Sequence, residues 1–178
     1  PVGKGKLSKR DGDKLGFPVF PLEYTNEVSG DISRGYKEDG YFSESFINML
    51  AFLGWNPGTE QEIFSLKELV ANFDLKRVSK SGAKFSPEKA SWFNQQYMQT
   101  KSDAELTDLY MPILKRKGII TDKDFVLNVV SLIKERAVFV VDFWELSSFF
   151  FETPTTYDAK ASKKNWKVKK ICPYRKKW

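Results

Sequence analysis

The sequence predicts a mostly α-helical protein with a small α+β part. Three observations support this. Helical periodicity with N-terminal capping signals recurs from residue 43 onward. Strand-like segments are short, few and confined to the first hundred residues. A hydrophobic content of 41% with 15% aromatic residues is enough for a packed core. We therefore expect two domains, an α/β segment over residues 1–100 and a helical bundle over residues 101–178.

The first sixty residues alternate loops and helices. Residues 16–21 contain two prolines, which predicts an extended connector or short edge strand. Asp31 is a candidate N-cap and Asp39-Gly40 a turn signal, so a short helix is expected between them. A helix follows from Ser43, with Gly54 as its C-cap glycine. Its predicted buried stripe is Phe46, Ile47, Leu50, Ala51 and Leu53.

Capping signals place the next elements. Ser65-Leu66-Lys67-Glu68 is a capping box, and the predicted buried face of its helix is Leu66, Leu69, Val70 and Phe73. Residues 75–85 suggest a small hairpin or two short strand pieces. Ser86-Pro87 opens another helix. Its Trp92, Phe93 and Tyr97 are expected in the core and not as base-stacking platforms.

The sequence predicts consecutive helices in the second domain. A capping box at Ser102–Glu105 starts a helix towards Lys117, which Pro112 should kink or divide. A cap at 121–124 starts the next helix, whose predicted apolar face is Val126, Val129, Val130 and Ile133. Further helices are expected at about 138–151 and from Tyr157.

Two absences limit the possible chemistry. The chain has no histidine, which removes imidazole-based nucleophile activation and imidazole metal ligands. Its one cysteine, Cys172, permits no intrachain disulfide and suggests a reducing compartment. No apolar run approaches the roughly 20 residues that span a bilayer, and no signal peptide is recognised. We expect a cytoplasmic protein with no membrane partner.

Positive charge is concentrated at the two ends. The net charge is +6, and nine of the 29 basic residues lie between Lys160 and the C-terminus, where there is no acidic residue. The opening segment from Lys4 to Lys14 holds five cations and two glycines. Such a loop can surround a polyphosphate with ammonium and backbone N–H groups, or it can be an ordinary solvated turn.

Three separated blocks resemble bacterial glutamyl-tRNA synthetases, which are class I aminoacyl-tRNA synthetases. Lys6-Leu7-Ser8-Lys9-Arg10 resembles the Lys-Met-Ser-Lys-Ser signature in its glutamyl form. The segments 35–58 and 73–97 are similar to the family's post-signature sequence. The similarity extends from residue 3 to about 157, and the last twelve residues, 167–178, do not match.

The resemblance implies a stem-contact α/β segment followed by an anticodon-binding helical bundle. It also implies a reaction that uses ATP, with Mg²⁺, to attach glutamate to tRNA-Glu. By position, Lys6 and Lys9 belong to the signature that stabilises the triphosphate. Lys9 is the expected ATP contact, Ser8 shapes the loop and Arg10 replaces the serine of many class I members. Asp11 and Asp13 more simply balance nearby lysines, so no metal site is predicted.

The family's other ATP signature contains histidine and precedes this loop, so we expect the chain alone to charge no tRNA. Expected RNA contacts, with solvated surface as the equal alternative, are Arg34, Lys37, Arg77, Lys80 and Lys84. Glutaminyl enzymes carry β-barrels for anticodon reading, so the helical bundle favours the glutamyl type. A monomer is expected. The alternative function is a basic RNA-binding module that does no chemistry.

Overall fold

The structure is a computed structural model, and it describes Gly12 and residues 16–153. This part contains two short strands and six α-helices, together with two 3₁₀ helices, Leu75–Arg77 and Lys134–Arg136. Among the described residues, one compact unit extends as far as Ser147. No helix within the described ranges combines the length and apolarity needed to cross a membrane. The mostly α-helical class with a small α+β part is therefore confirmed.

The sheet has two strands, and it occupies part of the region where a helix was expected. Strand β1, Tyr24–Thr25, pairs antiparallel with β2, Ile32–Ser33, with Thr25 opposite Ile32. The helix predicted between residues 31 and 40 is therefore wrong. The Asp39 N–H donates to the Gly35 carbonyl and the Gly40 N–H to the Lys37 carbonyl, each at 3.0 Å, so residues 35–40 form a turn. The Tyr36 N–H donates to the Phe20 carbonyl at 2.9 Å and attaches this turn to the connector. The extended connector at 16–21 forms one parallel bridge, between Phe20 and Gly35.

Helix α1, Ser43–Gly54, forms where the sequence predicted it but buries a different face. Its fully buried residues are Ser45, Asn48 and Met49. Ile47 and Leu50, two members of the predicted stripe, are 38% and 47% exposed. The face is shifted because the Asn48 amide finds buried backbone partners in residues 62–64. Gly54 is the last helical residue and does not lie beyond the helix end.

Helix α2, Leu66–Asn72, has the predicted Ser65–Glu68 capping box, but only Leu69 of its predicted face is buried. The small hairpin or two short strand pieces predicted over 75–85 do not form. Asp74 accepts a hydrogen bond from the Lys76 N–H at 2.9 Å and starts the Leu75–Arg77 3₁₀ helix. Val78 then forms a single antiparallel bridge with Trp55. The polar segment thus pairs with the end of α1 and not with itself.

Helix α3, Pro87–Thr100, packs along α1 and starts at the predicted Ser86-Pro87 signal. Phe93 and Tyr97 are buried and Trp92 is half-buried, which confirms their place in the core. The Tyr97 hydroxyl lies 2.7 Å from Asn48 Oδ1 and 2.5 Å from the Phe64 carbonyl oxygen. Asn48 Oδ1 also accepts the Phe64 N–H at 2.8 Å. This buried network ties α1, α3 and the segment before α2 together.

The bundle starts with α4, Asp103–Arg116, behind the predicted capping box, and α4 packs on α5, Lys123–Ile133. Pro112 does not divide α4. The four predicted apolar residues of α5 are all buried.

Helix α6, Asp142–Phe151, starts four residues later than predicted. The cause is that the Asp142 carboxylate accepts the N–H groups of Val138 and Phe139 at 3.0 and 2.8 Å. The Tyr110 ring meets Phe143 edge-on at 5.4 Å, which connects α4 to the first turn of α6. The helix expected from Tyr157 lies outside the described residues.

Replacing Tyr97 by Phe tests the buried network. The change leaves the Phe64 carbonyl without its hydroxyl partner, which should lower the free energy of unfolding by about 1–3 kcal/mol. Urea titration followed by circular dichroism measures the loss. The matched control is Tyr24→Phe, because Tyr24 is exposed and should leave the urea midpoint unchanged. Equal midpoints for Tyr97→Phe and the wild type would contradict the prediction.

The same variant has a pH signature. Burial raises the pKa of Tyr97 to about 12, with Glu44 and Glu68 adding to the rise and the hydrogen bond to Phe64 opposing it. The stabilisation is therefore complete below the ordinary tyrosine pKa and is lost as the pH rises through the raised value. The stability difference between the wild type and Tyr97→Phe should shrink between about pH 10 and 12.

Candidate nucleic-acid interface

The predicted signature residues Lys6, Ser8, Lys9 and Arg10 lie outside the described residues. Their described flank is attached to the core. The Phe17 N–H donates to the Gly12 carbonyl at 3.2 Å, and the buried Phe17 ring packs 5.0 Å from the Phe85 ring. A Cβ atom on Gly12 would collide with the Val19 side chain, so this close approach requires glycine.

Arg34 and Lys37 lie on the turn that follows β2, and both are exposed. The Lys37 N–H donates to the Pro21 carbonyl at 3.1 Å, which holds the turn on the connector. Tyr36 between them is buried, and burial raises the pKa of its phenol, so it is neutral at physiological pH. The Arg34 guanidinium lies 2.5 Å from Asp39 Oδ1, but its side chain is 70% exposed and can still face a phosphate.

A cavity of about 250 Å³ opens beside Arg34, between the connector and the turn. Its lining includes Phe17, Phe20, Arg34 and Asp39. Ser33 also lines it, and the buried Ser33 hydroxyl has no hydrogen-bond partner among the described residues. This edge of the domain therefore places a cation, a carboxylate and a hydroxyl around one opening. A guanidinium and a hydroxyl can donate hydrogen bonds to phosphate oxygens, and a carboxylate can accept one from a ribose 2′-hydroxyl.

Arg77, Lys80 and Lys84 lie on the 3₁₀ helix and the segment behind it, and all three are exposed. The Arg77 guanidinium lies over Gly58, close enough that a Cβ there would be 2.8 Å from its nitrogen. Gly58 has φ +75°, and its N–H donates to Asn56 Oδ1 at 2.7 Å. The Arg77 guanidinium therefore lies against the Asn56-Pro57-Gly58 turn.

Four of the five proposed RNA contacts have no ion-pair partner among the described residues, which is also true of several other basic residues, among them Lys67, Lys76 and Arg136. Within the described ranges, ion pairs engage Lys89, Lys101, Lys123 and Lys134, and also Arg34. Lys37, Arg77, Lys80 and Lys84 take part in none of the ion pairs formed among these residues. An ammonium or guanidinium without a carboxylate is free to neutralise phosphate and release counterions.

The bundle carries a basic feature that the sequence reasoning did not single out. Lys115 and Arg116 form the last turn of α4, and the Lys117 ammonium lies 4.5 Å from the centre of the Trp144 ring. Cations at a helix C-terminus also stabilise the helix dipole, which is the simpler role. The signal in the sequence is the run of three cations before Gly118.

Two family models match separate parts of the chain. The family model described as tRNA synthetases class I (E and Q), catalytic domain, matches residues 26–92. The model described as anticodon binding domain matches residues 105–171. The glutamate–tRNA ligase of Flavobacterium psychrophilum is 61% identical over 168 residues, covering 94% of this chain and 33% of that protein. That of Christiangramia forsetii is 59% identical over 167 residues, with the same coverage.

Solved structures match over nearly the same part of the chain. A glutamate tRNA ligase from Elizabethkingia meningosepticum, in complex with its amino acid, superposes with a TM-score of 0.87 at 49% identity. The match covers 93% of this chain and 33% of that one. Glutamate-tRNA synthetase from Elizabethkingia anophelis superposes with a TM-score of 0.87 at 50% identity. This chain spans about a third of the length of the curated relatives that it matches.

Replacing Gly58 by Ala tests the turn against which Arg77 lies. A side chain at φ +75° is strained by about 1–2 kcal/mol, so the free energy of unfolding should fall by that amount. Gly54→Ala is the matched control, because Gly54 ends a helix and a Cβ there meets nothing within 4 Å. Urea titration of both variants should show a loss for Gly58→Ala and none for Gly54→Ala. A similar fall in the free energy of unfolding of both variants would contradict the prediction that the positive φ of Gly58 requires glycine.

Proposed function

Because the chain belongs to the glutamate–tRNA ligase family, we propose that it forms the tRNA-binding part of an enzyme that attaches glutamate to tRNA-Glu. In this proposal residues up to about 100 bind the inner corner of the tRNA. The helices from about residue 101 bind its anticodon arm. The substrates of the whole enzyme are glutamate, ATP and tRNA-Glu, and its setting is the cytoplasm, where the protein acts as a monomer.

The observation that carries the proposal is the pairing of two surfaces in one chain. The segment that matches the synthetase catalytic-domain model carries the exposed Arg34, Lys37, Arg77, Lys80 and Lys84. The segment that matches the anticodon-binding model is a helical bundle with the basic end of α4. Exposed cations on the first segment suit phosphate contacts, which position RNA without reading its sequence.

The opening loop is proposed to act on ATP. Lys6 and Lys9 would place ammonium groups where charge develops on the triphosphate, Lys9 at the ATP itself, and Ser8 and Arg10 would complete the loop. Mg²⁺ would accompany the ATP. The reaction also needs the glutamate pocket and the second ATP signature, which the resemblance places before this loop. We therefore propose that the chain alone does not charge tRNA.

A basic RNA-binding module without chemistry remains the competing function. Identity of 61% across 94% of the chain favours the ligase. The two functions differ in selectivity. A module that binds through charge alone should bind every tRNA alike, and its affinity should fall steeply with salt.

Binding of the chain to a tRNA-Glu transcript and to an unrelated tRNA, each at low and at physiological salt, tests the proposal. We expect a preference for tRNA-Glu that persists at the higher salt concentration. Contacts to the anticodon arm should add to the electrostatic contribution that phosphate contacts make to the affinity. Equal binding of both tRNAs, lost together as salt rises, would contradict the proposal and support the competing function.

Variants of the first segment refine the same experiment. Replacing Arg77, Lys80 and Lys84 together by Ala should lower the affinity for both tRNAs alike. The slope of the logarithm of the affinity against the logarithm of the salt concentration should become shallower by roughly one unit for each phosphate that is no longer neutralised. Lys89→Gln is the matched control, because the Lys89 ammonium already lies 2.6 Å from Glu62. An unchanged salt slope in the triple variant would remove these residues from the interface.

A further inference from the structure

A buried asparagine in α3 joins the two parts that are expected to be separate domains. Asn94 is fully buried. Its Oδ1 accepts the N–H of Phe42 at 2.9 Å, and its Nδ2 donates to the carbonyl of Val138 at 2.7 Å. Phe42 immediately precedes α1, whereas Val138 precedes α6 in the bundle. One side chain therefore fixes the backbone on both sides of the expected boundary near residue 100.

Other contacts near Asn94 also join residues on the two sides of the boundary near residue 100. The Tyr41 and Phe139 rings meet edge-on, with centroids 4.9 Å apart. Gln99 Nε2 donates to the Lys134 carbonyl at 3.2 Å. Residues on both sides of the boundary accordingly fall in a single compact unit that ends at Ser147.

We propose that Asn94 is a positioning residue that fixes the spacing of the two RNA-binding surfaces, so that one tRNA engages both at once. This inference rests on the proposed function. When two sites are held at the spacing of their ligand, the second site binds at a high effective concentration and the overall affinity rises without any additional interaction. When their geometry varies, that gain disappears although each surface still binds.

The chemistry of the site favours an amide at this position. One partner is a donor and the other an acceptor, and the asparagine side chain supplies the complementary acceptor and donor on neighbouring atoms. A leucine of similar size would leave both buried backbone groups without partners. An ionised aspartate would accept the Phe42 N–H but would have no hydrogen to donate to the Val138 carbonyl, whose oxygen carries a partial negative charge.

Asn48 provides a matched control for a purely structural role. It is also fully buried, and its amide also accepts one backbone N–H, from Phe64, and donates to one carbonyl, of Glu62. Its hydrogen-bond partners within the described residues all precede residue 100, however, so it stabilises one part and does not join the two. Asn48→Ala and Asn94→Ala should both lower stability, and only Asn94→Ala should change the spacing.

The first experiment compares binding of a whole tRNA-Glu transcript with binding of its isolated anticodon stem-loop. We expect Asn94→Ala to lower the affinity for the whole tRNA by about tenfold, which is a modest part of the usual gain from bivalent binding. The affinity for the stem-loop should not change. Asn48→Ala should leave both affinities unchanged. Wild-type affinity of Asn94→Ala for the whole tRNA, or an equal loss in Asn48→Ala, would overturn the proposal.

A second experiment needs no RNA. Spin labels at Lys67→Cys in α2 and Lys115→Cys in α4, with Cys172→Ser, report the distance between the two parts by double electron–electron resonance. We expect a narrow distance distribution when Asn94 is kept, with or without Asn48→Ala, and a broad one in Asn94→Ala. A narrow distribution in Asn94→Ala would overturn the proposal. Failure of the unaltered chain to prefer tRNA-Glu would instead count against the proposed function.

Asn94→Asp provides a test of the proposal that still applies if Asn94→Ala does not fold. Burial raises the pKa of the introduced carboxyl, so at a pH above that raised value the carboxylate faces the Val138 carbonyl and the distance distribution should be broad. At low pH the protonated acid can donate to that carbonyl while its other oxygen accepts the Phe42 N–H, so the distribution should narrow again. A distribution that does not change with pH would contradict the assigned hydrogen bonds.

Discussion

The structure depends on the polar groups buried along helix α3. Tyr97 meets the Asn48 amide and the Phe64 carbonyl, and Asn94 meets backbone groups at Phe42 and Val138. Each bond satisfies a group that would be costly to bury alone, so the helix holds segments far apart in the chain at fixed positions. Apolar packing holds these segments together, and the polar bonds select one arrangement among the many that would bury similar area.

This arrangement has a direct consequence for the RNA binding that we propose. The exposed cations of the first segment lie on turns and on a 3₁₀ helix that the core holds in place, and Gly58 and Asp74 shape those turns. The bundle presents the basic end of α4 at its own surface. A rigid connection between the two lets the chain present both to one large, stiff ligand. Family membership in the glutamate–tRNA ligases gives that ligand a chemical identity, and the proposal that it is tRNA-Glu follows from it.

Local signals predicted the helices well and their faces less well. Capping boxes at Ser65 and Ser102 mark true helix starts, because their hydrogen bonds join residues three apart. The buried face of α1 was misjudged because Asn48 resembles a surface residue until its partners at 62–64 are known. The predicted hairpin is wrong because Val78 pairs with Trp55, a contact that no local sequence pattern encodes. Of the candidate site, Arg34, Lys37, Arg77, Lys80 and Lys84 are exposed as an RNA contact requires, and Asn94 was missed for the same reason as Asn48.

The most direct test is whether the two parts unfold as one. Pulsed hydrogen exchange read by mass spectrometry, carried out across a urea titration, measures protection of α1 and of α5 in the same sample. A single body joined through α3 predicts that both segments lose protection at the same urea concentration and with the same steepness. Loss of protection in α5 at a clearly different urea concentration from α1 would contradict it. The bundle would then be an independent domain.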